Sequence, residues 1–90
     1  MKMTGGEAAV KSLKKENVKH VFGLIGSATM EMFDALYHEK KINFIGVRDE
    51  RTGTHMADGY ARASNKPGVI IAGQNGPGAT NLVTGVAQAK

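Results

Sequence analysis

Three short segments of the sequence place polar side chains among glycines, which is one way to build a ligand site. They read GLIGSA at 23–28, RDE at 48–50 and GQNGPGATN at 73–81. The carboxyl group of Glu50 can take up or release a proton, as general acid-base catalysis requires. Gly76 and Gly78 allow the main chain to approach a ring or a phosphate closely, and Pro77 stiffens the loop between them.

Each segment also has a purely structural explanation, and the residues alone leave both interpretations open. An acidic residue such as Glu50 at a helix start is stabilised by the helix dipole while it stays solvated. Gly26 can turn the chain and Ser27 can cap the helix that follows. The loop at 73–81 can be an ordinary strand-to-helix turn, because it matches neither the Walker pattern nor the dinucleotide-binding pattern.

The elements that must position these segments are predicted by three apolar runs, each followed by a helical pattern. The runs are HVFGLIG at 20–26, INFIGV at 42–47 and GVIIAG at 68–73, and the helices cover about 28–40, 50–64 and from 77 onward. Another helix, from about 6 to 17, precedes them, with Thr4 and Glu7 at capping-box spacing. Nearly continuous apolar strands that alternate with helices predict a three-layer α/β fold, with a parallel sheet covered on both faces.

Parallel strands end along one edge of a sheet, so this fold predicts that the three polar segments lie close together. The helix that begins at Glu50 carries Gly53, Ala57 and Ala61 at a spacing of four, a smooth stripe that another backbone can pack against. We therefore expect Glu50 to be buried, and burial to raise the pKa of its carboxyl group.

Composition narrows the class of protein. The chain has 90 residues, of which 22% are charged and 41% apolar, as in a small globular domain. The net charge of +4 is dispersed and there is no Trp, so we expect no nucleic-acid partner. Cysteine is absent and the three histidines lack ligand spacing, so we expect no metal site in this chain. No apolar stretch is long enough for a signal peptide or a membrane span, and we expect a cytoplasmic protein.

Three longer motifs resemble the N-terminal pyrimidine-binding (PYR) domain of thiamine-diphosphate-dependent enzymes, in the acetolactate synthase and pyruvate oxidase group. They are HVFGLIGSA at 20–28, DERTGTHMADGYAR at 49–62 and GPGATNLVTGVAQA at 76–89, in the family's order and spacing. The similarity covers essentially the whole chain. The stretches IGSA and QNGPG are also similar to sulfoacetaldehyde acetyltransferases, which transfer the acetyl group to phosphate, so this activity is an alternative.

The resemblance implies a role for particular residues. Glu50 matches the glutamate that hydrogen-bonds N1′ of the cofactor's aminopyrimidine and so favours the tautomer that removes the thiazolium C2 proton. Ser27 would face the substrate. The other positions that match cofactor contacts of the family are Ile25, Gly26, Gln74, Pro77, Gly78 and Asn81.

The resemblance also implies what surrounds this chain. Residues 1–90 would be a three-stranded, partial PYR domain of a longer enzyme that acts on 2-oxo acids, and would be inactive alone. A separate domain would hold the diphosphate and Mg²⁺, and the active site would form between subunits of a homodimer or tetramer. Whether a flavin is also bound stays open.

Two hypotheses from other classes remain beside the enzyme. The chain could be a non-catalytic PYR-like module that associates through its sheet edge and the stripe of Gly53, Ala57 and Ala61. It could also be a nucleotide-binding domain that uses GQNGPG on a phosphate, which the lack of an accompanying Lys disfavours.

Overall fold

The computed structural model describes residues 2–73 and 75–90, without the side chains of residues 28 and 75. Strands and helices alternate as predicted up to the third strand, but the single helix expected from 77 onward is divided into two helices. Each strand is shorter than its apolar run, because residues at one or both ends of the run lie outside the strand. The elements are α1 (Gly5–Lys15), β1 (His20–Gly23), a 3₁₀ turn (Ser27–Thr29), α2 (Met30–His38), β2 (Asn43–Gly46), α3 (Glu50–Ser64), β3 (Val69–Ile71), α4 (Asn75–Thr80) and α5 (Val83–Ala89).

The three strands form one parallel sheet in the order β2-β1-β3. Val21 pairs with Phe44 of β2 on one side and with Val69 of β3 on the other. The chain therefore leaves β1 in one direction to form β2 and returns past β1 to form β3. The predicted parallel α/β fold is confirmed.

Helices cover both faces of this sheet. Successive side chains of a strand point to opposite faces, so neighbouring strand residues contact different helices. On one face, Val21 joins a core of buried residues contributed mainly by α1, α2 and the strands. On the other face, Phe22 packs edge-on against Tyr60 of α3, with ring centroids 6.2 Å apart. The core cluster on the first face consists of Val10, Val21, Phe33, Leu36, Ile42 and Ile71.

The first helix begins where the capping-box spacing predicts. The Thr4 hydroxyl accepts a hydrogen bond from the Glu7 main-chain N–H (3.1 Å), and Glu7 Oε1 accepts one from the Thr4 N–H (2.8 Å). The helix ends at Lys15, two residues earlier than predicted, and Asn17 adopts a left-handed conformation with φ of 63°.

The stripe of small residues on α3 packs against this chain's own sheet. A Cβ atom at Gly53 would lie 2.5 Å from Ile70 Cδ1, and Gly68 leaves no room for a side chain beside the Ala57 carbonyl. The expected close approach is thus confirmed for Gly53 and Ala57. For Gly53 and Ala57, the hypothesis that the stripe receives another chain is wrong, because Ile70 and Gly68 of this chain already lie against them. Among the described residues, no helix is both long and apolar enough to cross a membrane.

Candidate active site

The segments that follow the three strands meet at the carboxyl edge of the sheet, as predicted. Main-chain hydrogen bonds connect them: the Leu24 N–H donates to the Ile71 carbonyl (3.2 Å), and the Val47 N–H donates to the Gly23 carbonyl (2.9 Å). Gly26 lies directly against the main chain of Gly73, so closely that a Cβ atom there would overlap the Gly73 carbonyl.

Glu50 lies at the centre of this cluster, with only 5% of its surface exposed. Its Oε2 accepts a hydrogen bond from the Gly73 main-chain N–H (2.9 Å), and its Oε1 accepts one from Asn81 Nδ2 (3.2 Å). The local sequence places Glu50 at this position. Asp49 is the N-cap of α3 and accepts a hydrogen bond from the Arg51 N–H (2.8 Å), so Glu50 is the first helical residue. The predicted burial of Glu50 is confirmed.

The expected rise in the pKa of Glu50 is wrong. The hydrogen bond from its own main-chain N–H lowers the pKa most, and donors from Asn81 and Gly73 lower it further. Burial and the neighbouring Asp49 charge act in the opposite direction, but the net pKa is below the ordinary glutamate value. A carboxylate that accepts several hydrogen bonds is stabilised in its charged form even where water is excluded.

Glycine residues, which have no side chain, lie beside Oε2 of Glu50. A Cβ atom at Gly73 would lie 2.8 Å from Oε2, and one at Gly78 would lie 3.3 Å from it. Gly78 is buried beside the carboxylate, whereas Pro77 is exposed and its carbonyl accepts from the Asn81 N–H (2.9 Å). Glycine at 73 is therefore a steric requirement of the site.

The remaining predicted positions lie further out or outside the described residues. Ile25 is 58% exposed and lines an open apolar groove with residues of α2, including Phe33 and Leu36. Ser27 is exposed and is the first residue of the 3₁₀ turn, and the N-cap residues of that turn and of α2 are Gly26 and Thr29. Gln74 lies outside the described residues.

Two residues of this cluster were missed by the sequence interpretation. Gly73 holds the carboxylate through its N–H, and its position just after β3 was the available signal. Thr54 is buried one turn after Glu50, donates its hydroxyl to the Glu50 carbonyl (2.7 Å), and packs against Gly85 of α5. Its spacing of four from Glu50 was the only sign in the sequence. No group of three or more His, Cys, Asp or Glu residues suited to a metal occurs within 2–73 and 75–90.

Comparison with known families shows the family to which this chain belongs. The family described as "Thiamine pyrophosphate enzyme, N-terminal TPP binding domain" matches residues 3–90. The chain belongs to this family. Thiamine pyrophosphate is another name for thiamine diphosphate. The family is therefore the one that the three motifs resemble, and the resemblance is confirmed.

Relatives of this thiamine pyrophosphate enzyme domain are acetolactate synthases. A "Probable acetolactate synthase large subunit" of Methanococcus aeolicus is 53% identical over 87 residues, which is 97% of this chain and 14% of the relative. The "Acetolactate synthase catalytic subunit, mitochondrial" of Aspergillus candidus is 49% identical over 81 residues, 90% of this chain and 12% of the relative. The corresponding protein of Saccharomyces cerevisiae is 45% identical over 87 residues. The chain thus spans a small fraction, 14% or less, of each of these relatives.

Proposed function

We propose that this chain is the pyrimidine-binding part of an acetolactate-synthase-like enzyme, with Glu50 as the group that exchanges a proton with N1′ of thiamine diphosphate. The observation that carries this proposal is the placement of one buried carboxylate, bonded through both of its oxygens, where the three strand ends meet. In doubly wound α/β proteins, ligands bind in the crevice at this edge.

The residues around Glu50 fit an aminopyrimidine ring. An ionised carboxylate has about four acceptor positions, and Gly73, Asn81 and the main-chain N–H of Glu50 itself use three of them, so one remains to accept a ring N–H. Gly73 and Gly78 present main chain without side chains beside Oε2. The residues that would hold the cofactor are Ile25, Gly26, Gln74, Pro77, Gly78 and Asn81, with Ser27 on the substrate side.

The chemistry of this chain then depends on the proton that Glu50 would share with the ring. When bound, thiamine diphosphate supplies a nucleophilic carbon and an electron sink for cleavage of the bond beside a carbonyl group. Because hydrogen bonds lower the pKa of Glu50, its carboxyl group favours the ionised form, and a proton shared with a ring nitrogen would reside on the ring. The Glu50 carboxylate would stabilise that protonated ring as its hydrogen-bond and charge partner.

The full-length protein would decarboxylate a 2-oxo acid and transfer the acetyl or aldehyde unit. The names of the relatives support this assignment over phosphate acetyl transfer, and the short share of each relative that is matched supports a separate diphosphate domain. That domain, from a partner subunit of a homodimer or tetramer, would hold Mg²⁺ and the diphosphate. The protein would act in the cytoplasm, although some relatives carry a mitochondrial label.

Exchange of the C2 proton of bound thiamine diphosphate for deuterium, followed by NMR, tests the role of Glu50. In the full-length protein, Glu50→Gln should slow this exchange by roughly 10²- to 10⁴-fold, the usual contribution of a positioned proton-transfer group. Glu31→Gln, at an exposed position on α2, is the matched control and should exchange normally. Cofactor affinity, measured by calorimetry, separates slow proton transfer from weak binding. Normal exchange in saturated Glu50→Gln would refute the assignment.

A further inference from the structure

The short helix α4 is tied to Glu50 at both of its ends. Gly73, just before the helix, donates its main-chain N–H to Oε2, and Asn81, just after it, donates its side-chain amide to Oε1. Glu50 is thus the common anchor of the whole loop that follows β3. The two donors also occupy different oxygens, so together they determine how the carboxylate plane is rotated.

The Asn81 amide has one orientation compatible with its partner. An ionised carboxylate only accepts hydrogen bonds, so Asn81 must present its NH₂ group to Oε1 rather than its carbonyl oxygen. The main chain of Asn81 is held by its N–H bond to the Pro77 carbonyl (2.9 Å), and its side chain is half-buried. The amide is therefore held in place by the turn between α4 and α5 and does not swing freely in solvent.

We propose that Asn81 is a positioning residue that acts on the cofactor through Glu50, by holding the Glu50 carboxylate in its working orientation before the cofactor arrives. This role replaces the direct contact with the cofactor that the function proposed above gives to Asn81. The catalytic consequence rests on the function proposed for Glu50, but the coupling between the two side chains does not, because it exists without a ligand. The two proposals can therefore fail separately.

A charge exchange between the two side chains tests the coupling in the cofactor-free, full-length protein. In Asn81→Asp two carboxylates would face each other, and the thermal midpoint at pH 7 should fall by on the order of 2 °C or more. Adding Glu50→Gln should recover most of that loss, because the new glutamine amide can donate to the new aspartate. Thr84→Ala, at an exposed position on α5, should leave the midpoint unchanged. Additive losses in the double variant would overturn the proposal.

Cofactor affinity, measured by calorimetry with thiamine diphosphate and Mg²⁺, distinguishes the positioning role from direct contact. In a Glu50→Gln background, Asn81→Leu removes the amide and keeps the number and branching of the side-chain heavy atoms. The affinity should change by less than about twofold, since the residue through which Asn81 acts is already altered. A further loss of about tenfold or more, which corresponds to 1.4 kcal/mol, would assign Asn81 to direct contact and refute the positioning role.

With the native Glu50, Asn81→Leu should slow C2 proton exchange of the saturated protein more than it weakens cofactor binding. A misplaced carboxylate impairs proton transfer even when the ring is bound. If exchange stays normal in saturated Asn81→Leu while Glu50→Gln exchanges slowly, the positioning role is wrong and the role of Glu50 stands. If both variants exchange normally but the charge exchange still shows coupling, the function proposed for Glu50 and the action of Asn81 on the cofactor are wrong, and only the structural pairing remains.

Discussion

The main-chain N–H of Gly73 lies 2.9 Å from Oε2 of Glu50, although the two residues are 23 positions apart in the chain. Glu50 follows β2 and Gly73 follows β3, and these strands are separated in the sheet by β1. The hydrogen bond therefore passes the end of the central strand and joins the loops of the two outer strands. The position of the Glu50 carboxylate therefore depends on the loops that follow both outer strands.

Gly73→Ala should disturb this relationship directly. A Cβ atom at this position would lie 2.8 Å from Oε2, so either the loop or the carboxylate must move. We expect a loss of about 1–3 kcal/mol, the usual cost of overpacking, together with weaker cofactor binding. Thermal unfolding and calorimetry of the full-length protein measure the two effects.

Gly59→Ala is the matched control for that substitution. Gly59 is exposed in the middle of α3, and a Cβ atom there would meet nothing within 4 Å. Alanine in an exposed helix should stabilise the protein by about 0.5–1 kcal/mol and leave cofactor binding unaltered. If Gly73→Ala were as well tolerated as Gly59→Ala, the loop would not be held against Glu50.

The stability contributed by ionised Glu50 should depend on pH in a defined direction. Its pKa in the folded chain is below the ordinary value of 4.5, because its own main-chain N–H, Asn81 and Gly73 donate to it. A lowered pKa contributes stability that is fully present above the ordinary value and is lost as the pH falls through the folded value. The difference in thermal midpoint between the native protein and Glu50→Gln should thus be largest near pH 7 and shrink below about pH 4.5.

The same comparison of thermal midpoints against pH also tests the direction of the pKa shift. In Glu50→Gln, the side-chain oxygen still accepts hydrogen bonds, but the NH₂ group that replaces the other oxygen faces a hydrogen-bond donor at every pH. The variant is therefore expected to be less stable than the native protein at pH 7. A stability difference that grows as the pH falls would mean that burial dominates and that the folded pKa is raised.

The packing of α5 on α3 gives a prediction one layer away from the carboxylate. A Cβ atom at Gly85 would overlap the side chain of Thr54, whose hydroxyl donates to the Glu50 carbonyl (2.7 Å). Gly85→Ala should cost about 1–3 kcal/mol and displace the first turn of α3. Thermal unfolding and C2 proton exchange would both report the change.

A second substitution tests the cause of that loss. Thr54→Ser removes the methyl group nearest to Gly85 but keeps the hydroxyl, so it should recover part of the stability lost in Gly85→Ala. Thr54→Ser alone should lose stability, because it leaves a small cavity. Equal losses for Gly85→Ala with threonine or serine at 54 would show that the contact is not the cause.

Local pattern was sufficient to predict most of the fold and the neighbourhood of the site. Thr4 and Glu7 form the capping box that their spacing predicts, and the apolar runs lie in three parallel strands. Glu50 is buried where the strand ends meet, as the small-residue stripe on α3 led us to expect. These features depend on side-chain period and spacing along a short stretch of chain, which can be read directly.

The features that could not be predicted depend on residues far apart in the chain. The stripe of Gly53 and Ala57 indicated close packing, but only the folded chain shows that its partner is β3 rather than another molecule. Periodicity describes the face of a helix and carries no information about what lies opposite that face.

The sequence by itself determined that a carboxylate begins α3, that a glycine-rich loop follows β3, and that the motifs are those of a thiamine pyrophosphate enzyme domain. Only the tertiary structure decided the direction in which the pKa of that carboxyl group is shifted. Burial and hydrogen bonding shift a pKa in opposite directions, and the balance depends on how many donors reach the buried group. Two of the donors to Glu50 come from Gly73 and Asn81, which folding brings from 23 and 31 positions away.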